Sequence, residues 1–165
     1  LTEASSPRER AKAVALRYLA AAARTEAQVR ARLAKAELGA EADAVVAWLR
    51  GLRYLDDEAW SLARARTLTA PGRLGPRAAE RRLLAAGIPA AAARAAVAAA
   101  LAGEAGGEAA RCRALAERRA RGRPLGELDP KARARLARFL LGRGFSGAAV
   151  ARTLGGFDDR DLEEG

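Results

Sequence analysis

The sequence has 165 residues, of which half are apolar and only 4% aromatic, and it carries 30 Lys and Arg against 20 Asp and Glu for a formal charge of +10. A chain of this size makes one domain or a row of small modules. Its alanine-rich apolar fraction builds a core from closely approaching helices rather than from large side chains. The charge points to a polyanionic partner: nucleic acid, an acidic protein surface or a nucleoprotein. There is no His and one cysteine, Cys112, which excludes an internal disulfide and His-based metal or acid–base chemistry, and fits a reducing cytoplasm. No run is long and apolar enough for a membrane span. Ala, Leu, Arg and Glu favour helix, and strand formers are scarce, so an all-α protein follows.

In chain order, a repeated unit emerges. VRARLAKAEL (29–38), AERRLLAAGI (79–88) and LARFLLGRGF (136–145) superpose. Val29/Leu33, Ala79/Leu83 and Leu136/Leu140 each set an apolar pair at i, i+4, one stripe of a helix. Gly87 and Gly144 fill the same slot, where a left-handed stop is expected, and Ile88 and Phe145 follow to cover the last turn. The first copy has Glu37 in that slot, so a less regular stop is expected there. A helical stretch precedes each of these (Lys12 to Ala23, Glu58 to Leu68, Glu108 to Arg121) and another follows (Ala42 to Leu52, Ala90 to Leu101, Ala148 to Leu154). The expectation is an elongated array of three tandem three-helix repeats, about nine helices. Its units would run over 10–55, 56–105 and 106–157, between a segment at 1–9 and an acidic tail at 158–165.

Local signals mark the joints. Thr25 with Gln28 makes a capping box for the second helix, and Pro76 and Pro130 sit at first turns, where a missing N–H is harmless. In GLRYLDDEAW (51–60), Asp56 is an N-cap candidate, and Asp57 and Glu58 enter the first turn, where carboxylates meet free N–H groups. The competing reading, a metal or acid–base pair, lacks convergent ligands. Tyr18, Trp48, Tyr54 and Trp60 read as core or inter-repeat packing, with Tyr54, Asp56 and Asp57 forming a structural junction.

Two basic stretches stand out. In RTLTAPGRLGPRAAERRL (66–83), Arg73 lies in a Pro/Gly loop, Arg77 and Arg81 share a helix face, and Arg82 adjoins them. That is either a seat for phosphates or carboxylates or an ordinary solvated face. In ERRARGRPL (117–125), Arg118, Arg119, Arg121 and Arg123 repel one another unless an anion sits nearby; the alternative is a frayed, solvated helix end. Lys131, Arg133, Arg135 and Arg138 continue the positive character. As enzyme candidates, Cys112, Ser61 and Ser146 have no activating context, and no phosphate loop is present. Cys112 reads better as a small buried hydrophobe.

The series ALRYLAAAARTEAQVRARL (15–33), GLRYLDDEAW and GRLGPRAAERRLLAAGI (72–88) resembles the bacterial RecX family, regulators of the recombinase RecA. The resemblance spans most of residues 12 to 154 and is strongest over 15–88. It departs at Glu37, in the near-pure Ala stretch 90–100 and in the loop Thr69 to Gly72. It implies a protein without catalytic activity, cofactor or metal. That protein would be a cytoplasmic monomer that binds RecA and RecA–DNA filaments and restrains ATP hydrolysis, strand exchange and repressor cleavage. The competing class is a direct nucleic-acid binder. With no Asn and Gln28 as the lone Gln, base reading is disfavoured, and phosphate-driven, sequence-nonspecific binding is what that class leaves open. The tail FDDRDLEEG (157–165) holds five acids and one Arg. It either folds back on the basic repeats or stays mobile.

Overall fold

The computed structural model describes residues 5–103 and 105–155. Among these are nine α-helices and no strand: α1 (Pro7–Ala21), α2 (Glu26–Lys35), α3 (Ala42–Gly51), α4 (Asp57–Leu68), α5 (Pro76–Ala85), α6 (Ala90–Leu101), α7 (Gly107–Ala120), α8 (Pro130–Gly142) and α9 (Gly147–Leu154). The first helix starts earlier than Lys12 because Ser6 caps it, accepting the Glu9 N–H at 3.2 Å, and Pro7 fills its first position. The acidic tail at 158–165 lies outside the described residues.

Helices group in threes, and the buried apolar side chains fall into three separate cores. Val29, Leu33, Val45 and Leu49 anchor the first, Leu83, Ile88 and Val97 the second, and Leu136, Leu140, Phe145 and Val150 the third. The i, i+4 pairs read from the sequence are all buried. Burying one such Leu contributes about 2 kcal/mol, so each unit assembles its own hydrophobic stabilisation. In the second unit Ala65, Ala93 and Ala96 let α4 and α6 approach closely.

All three middle helices end alike. Leu38, Ile88 and Phe145 donate their N–H to Leu33, Leu83 and Leu140 at 2.9, 3.1 and 3.2 Å, and the residue before each is left-handed. Glu37, at φ 60°, adopts the turn that Gly87 and Gly144 make at 85° and 88°. The first stop is therefore as regular as the others, contrary to the expectation from its missing glycine.

The units join head to tail through these helices. The start of α2 meets the end of α5: the buried Thr25 hydroxyl accepts the Gln28 N–H at 3.2 Å and donates to the Ala86 carbonyl at 2.7 Å. Asp57 accepts the Glu26 N–H at 3.0 Å, Trp60 Nε1 donates to Ala23 O at 3.2 Å, and Arg50 forks onto the Glu26 carboxylate. The start of α5 meets the end of α8 in the same sense. There Gly75 and Arg77 give their N–H groups to the carbonyls of Arg143 and Gly144 at 2.8 and 3.1 Å. At this second seam the free donors of one helix start are satisfied by the free acceptors of another helix end, whereas at the first the α2 N–H groups of Glu26 and Gln28 go to the side chains of Asp57 and Thr25. Each seam is tight. A Cβ on Gly87 would overlap that of Ala27, and one on Gly144 would overlap the Ala78 backbone.

Tyr54 is not core: it is 58% exposed, while Leu55 is 5% exposed. The two sit in the extended link between α3 and α4, where successive side chains point to opposite sides, so only one can face inward. Tyr18 and Trp48 pack on the first core, and Trp60 on the second.

Two outcomes follow for urea unfolding followed by helical circular dichroism. Gly144→Ala should lose about 2 kcal/mol or more, because it combines left-handed strain with overlap at the seam, whereas Glu37→Gly should gain about 1 kcal/mol. Burial, together with the neighbouring Glu26 and Asp56 carboxylates, holds the Asp57 carboxyl above its ordinary range, against the Glu26 N–H bond and Arg50. A raised carboxyl binds its proton more tightly folded than unfolded, so its contribution is favourable at low pH and is lost as pH rises through the folded value. Asp57→Asn keeps the acceptor, and should match or exceed the parent at about pH 7 with the difference shrinking toward about pH 4. Asp57→Ala should cost about 1 kcal/mol at either pH.

Candidate partner-binding surface

The two basic stretches, far apart in sequence, meet at the seam between the second and third units. The turn from α4 to α5 carries Arg73, and docking of the Gly75 and Arg77 N–H groups on α8 fixes that turn and the exposed Arg77 beside the end of α8. Arg118, in the last turn of α7, lies against Gly72, where a Cβ would run into its guanidinium. Gly72 is also left-handed, at φ 77°, so a residue that both turns the loop and leaves room for Arg118 is needed there.

Arg119 stacks 4.9 Å from the centre of the Phe139 ring, and Arg143 stacks on the same ring at 5.3 Å. This clamp links α7 to α8. Arg121, left-handed at φ 51° as the C-cap of α7, turns the chain beyond the helix, and Arg123 follows with an exposed ion pair to Asp129 at 3.8 Å. Such an exposed pair, screened by solvent, contributes little. Arg119, Arg121, Arg123 and Arg135 rim a cleft of about 370 Å³ whose floor is Leu128, Leu136 and Phe139.

Arg81 and Arg82 are exposed but lie a turn further along α5, toward the first unit. The structure thus joins Arg73, Arg77, Arg118 and Arg119 at the seam, gathers Arg121 and Arg123 in the adjoining cleft, and sets Arg81 and Arg82 apart along α5. Arg135, Phe139 and Arg143 were not singled out as site residues from the sequence. Their i, i+4, i+8 spacing on α8 was the signal: one stripe in which two cations flank an aromatic.

The junction residues serve a different purpose. Asp56 accepts the Ala59 N–H at 2.9 Å and caps α4, while Asp57 caps α2 of the neighbouring unit. No group of three or more metal-ligating side chains occurs among the described residues. Ser61 donates to Asp57 O at 2.5 Å, and Ser146 caps α9 while donating to Glu108 at 2.8 Å. Cys112 is fully buried, and that burial pushes its thiol up, away from a reactive thiolate. Among the described residues no helix is long and apolar enough to cross a membrane.

No curated protein matches the chain in sequence. In structure it is similar to the crystal structure of RecX from Lactobacillus salivarius, at 19% identity and TM-score 0.76, over 96% of this chain and 98% of that one. It is also similar to the crystal structure of a regulatory protein RecX, at 22% identity and TM-score 0.71, over 90% of this chain and 72% of that one. The model of the first three-helix domain of RecX matches residues 11–49, and the model of the third matches residues 107–154, together more than half of the chain. With both end units matched by family models, the chain belongs to the RecX family.

Proposed function

We propose that this protein regulates a RecA recombinase, mainly as an inhibitor, by docking on RecA and on RecA–single-stranded DNA filaments without chemistry of its own. Membership of the RecX family supports the regulatory role. What supports the mode of action is the seam, where the turn bearing Arg73, the start of α5 with exposed Arg77 and the end of α7 with Arg118 and Arg119 come together. Guanidinium groups presented on helix ends and a fixed turn suit carboxylates of a protein groove or phosphates of the DNA inside it, and neither requires base reading. A surface crossing the joint of two rigid units spans more of a filament than one unit could. Restraint of ATP hydrolysis, strand exchange and repressor cleavage follows from holding the filament's subunits in one arrangement. The protein acts as a cytoplasmic monomer in this reading.

The test is ATP hydrolysis by a preformed RecA filament on single-stranded DNA, titrated with the protein, beside a titration of bare DNA at the same salt. Inhibition should appear well below the concentration that coats bare DNA. Arg73→Glu with Arg77→Glu should raise the half-inhibitory concentration roughly tenfold or more, with helicity unchanged. Arg81→Glu with Arg82→Glu should have the smaller effect. Unchanged hydrolysis together with tight, salt-steep binding to bare DNA would instead make the protein a sequence-nonspecific DNA binder.

A further inference from the structure

The cleft of the third unit has a chemistry distinct from that of the seam. Its rim is cationic (Arg119, Arg121, Arg123, Arg135), but its floor is apolar, made by Leu128, Leu136 and the Phe139 ring. Phosphate alone would leave that floor wet. A ligand that fills it must bring carboxylates and apolar side chains together, which describes an acidic peptide with interspersed Leu or Phe. One such segment is in this chain: residues 157–165, FDDRDLEEG, with five acids, one Arg, Phe157 and Leu162.

We propose that the cleft is an acidic-peptide site and that residues 157–165 occupy it in the protein alone. The rim carries four positive charges; Asp129 pairs with Arg123, and Glu127 lies on the turn leading into Leu128. The segment carries a net charge of −4, five acids less one Arg. Reach is sufficient. The chain leaves α9 just after Thr153, which sits against Cys112 in the middle of α7. From Cys112 to Arg119 is about 10 Å of helix rise. Eight residues beyond Gly155 span up to about 28 Å extended, and average about 16 Å as a flexible coil. Occupancy would bring Phe157 or Leu162 onto the Leu128–Leu136–Phe139 floor and the acids onto the rim.

The experiment uses the full chain and no partner, so its result is separate from that of the filament titration. Labels for distance measurement go on Gly126→Cys and Glu164→Cys. Gly126 lies on the cleft's outer turn with open space where a Cβ would go, and Cys112 is buried and does not compete for label. A short, narrow distance distribution is expected at low salt, broadening at high salt as exposed charges are screened. Arg121→Glu with Arg123→Glu should broaden it at low salt, and Asp158→Lys, Asp159→Lys and Asp161→Lys added to that background should restore the short distance. The charge swap separates a lost contact from a damaged fold. A distribution that is broad from the outset, indifferent to the cleft reversal, or broadened instead by Arg73→Glu with Arg77→Glu would overturn the proposal.

Discussion

Two N–H groups at the start of α5, from Gly75 and Arg77, and two carbonyls at the end of α8, from Arg143 and Gly144, complete each other's hydrogen bonding. The arrangement of the third unit on the second depends on this closure. Helix ends buried against protein must find partners for their free backbone groups, and here each unit supplies the other's. The approach is so close that Gly75 would place a Cβ 2.5 Å from the Gly144 carbonyl carbon. The same close stacking operates between the first and second units, here through side chains: the Thr25 hydroxyl reaches Ala86, Asp57 takes the Glu26 N–H, and Ala27 is set against Gly87. It also accounts for Glu37. The left-handed turn at the end of α2 is required by the helix stop itself, but no described unit stacks on that end, so a side chain has space. Two constraints coincide at Gly87 and Gly144, and only one acts at Glu37.

Much of the fold was legible because its determinants are local. Apolar pairs at i, i+4, a Thr–Gln capping box, prolines at first turns and left-handed stops all act within a few residues, and the structure shows them where the sequence placed them. The seams were less legible. Asp57 was read as a first-turn carboxylate of its own helix, yet its oxygen serves the Glu26 N–H of α2, and sequence carries no mark of that long-range pairing. Tyr54 failed for a related reason: an aromatic beside a Leu in an extended link says that one of them is buried without saying which. The basic stretches were found, but their convergence was not, because it rests on backbone docking at Gly75 and Arg77 and on the bare Cα of Gly72.

The crowding of Arg at the seam and cleft has a physical solution within the unit. Two like charges about 4 Å apart repel by roughly 1 kcal/mol in water and more where solvent is partly excluded. Arg119 and Arg143 both lie over Phe139, a contact of about 0.5–1 kcal/mol each at exposed sites. Arg118 and Arg119 also occupy the last turn of α7, where the helix dipole favours cations. These terms offset the repulsion, and among the described residues no carboxylate pairs with Arg73, Arg77, Arg118 or Arg119.

Arg119 belongs both to the Phe139 clamp beside the seam and to the rim of the cleft. An acidic segment in the cleft would therefore draw on a cation that the proposed partner at the seam would also use. By linkage, each weakens the other's binding by the same factor. A segment that fills the cleft about nine-tenths of the time lowers the apparent affinity of a strictly competing partner by about tenfold. Nothing in this coupling requires the units to move. The three cores are separate and the seams are closed by fixed backbone hydrogen bonds, so the competition is settled by local electrostatics at the end of α7. If both proposals hold, the partner surface and the covering segment share Arg119, and the array is regulated without a change in how its units are joined.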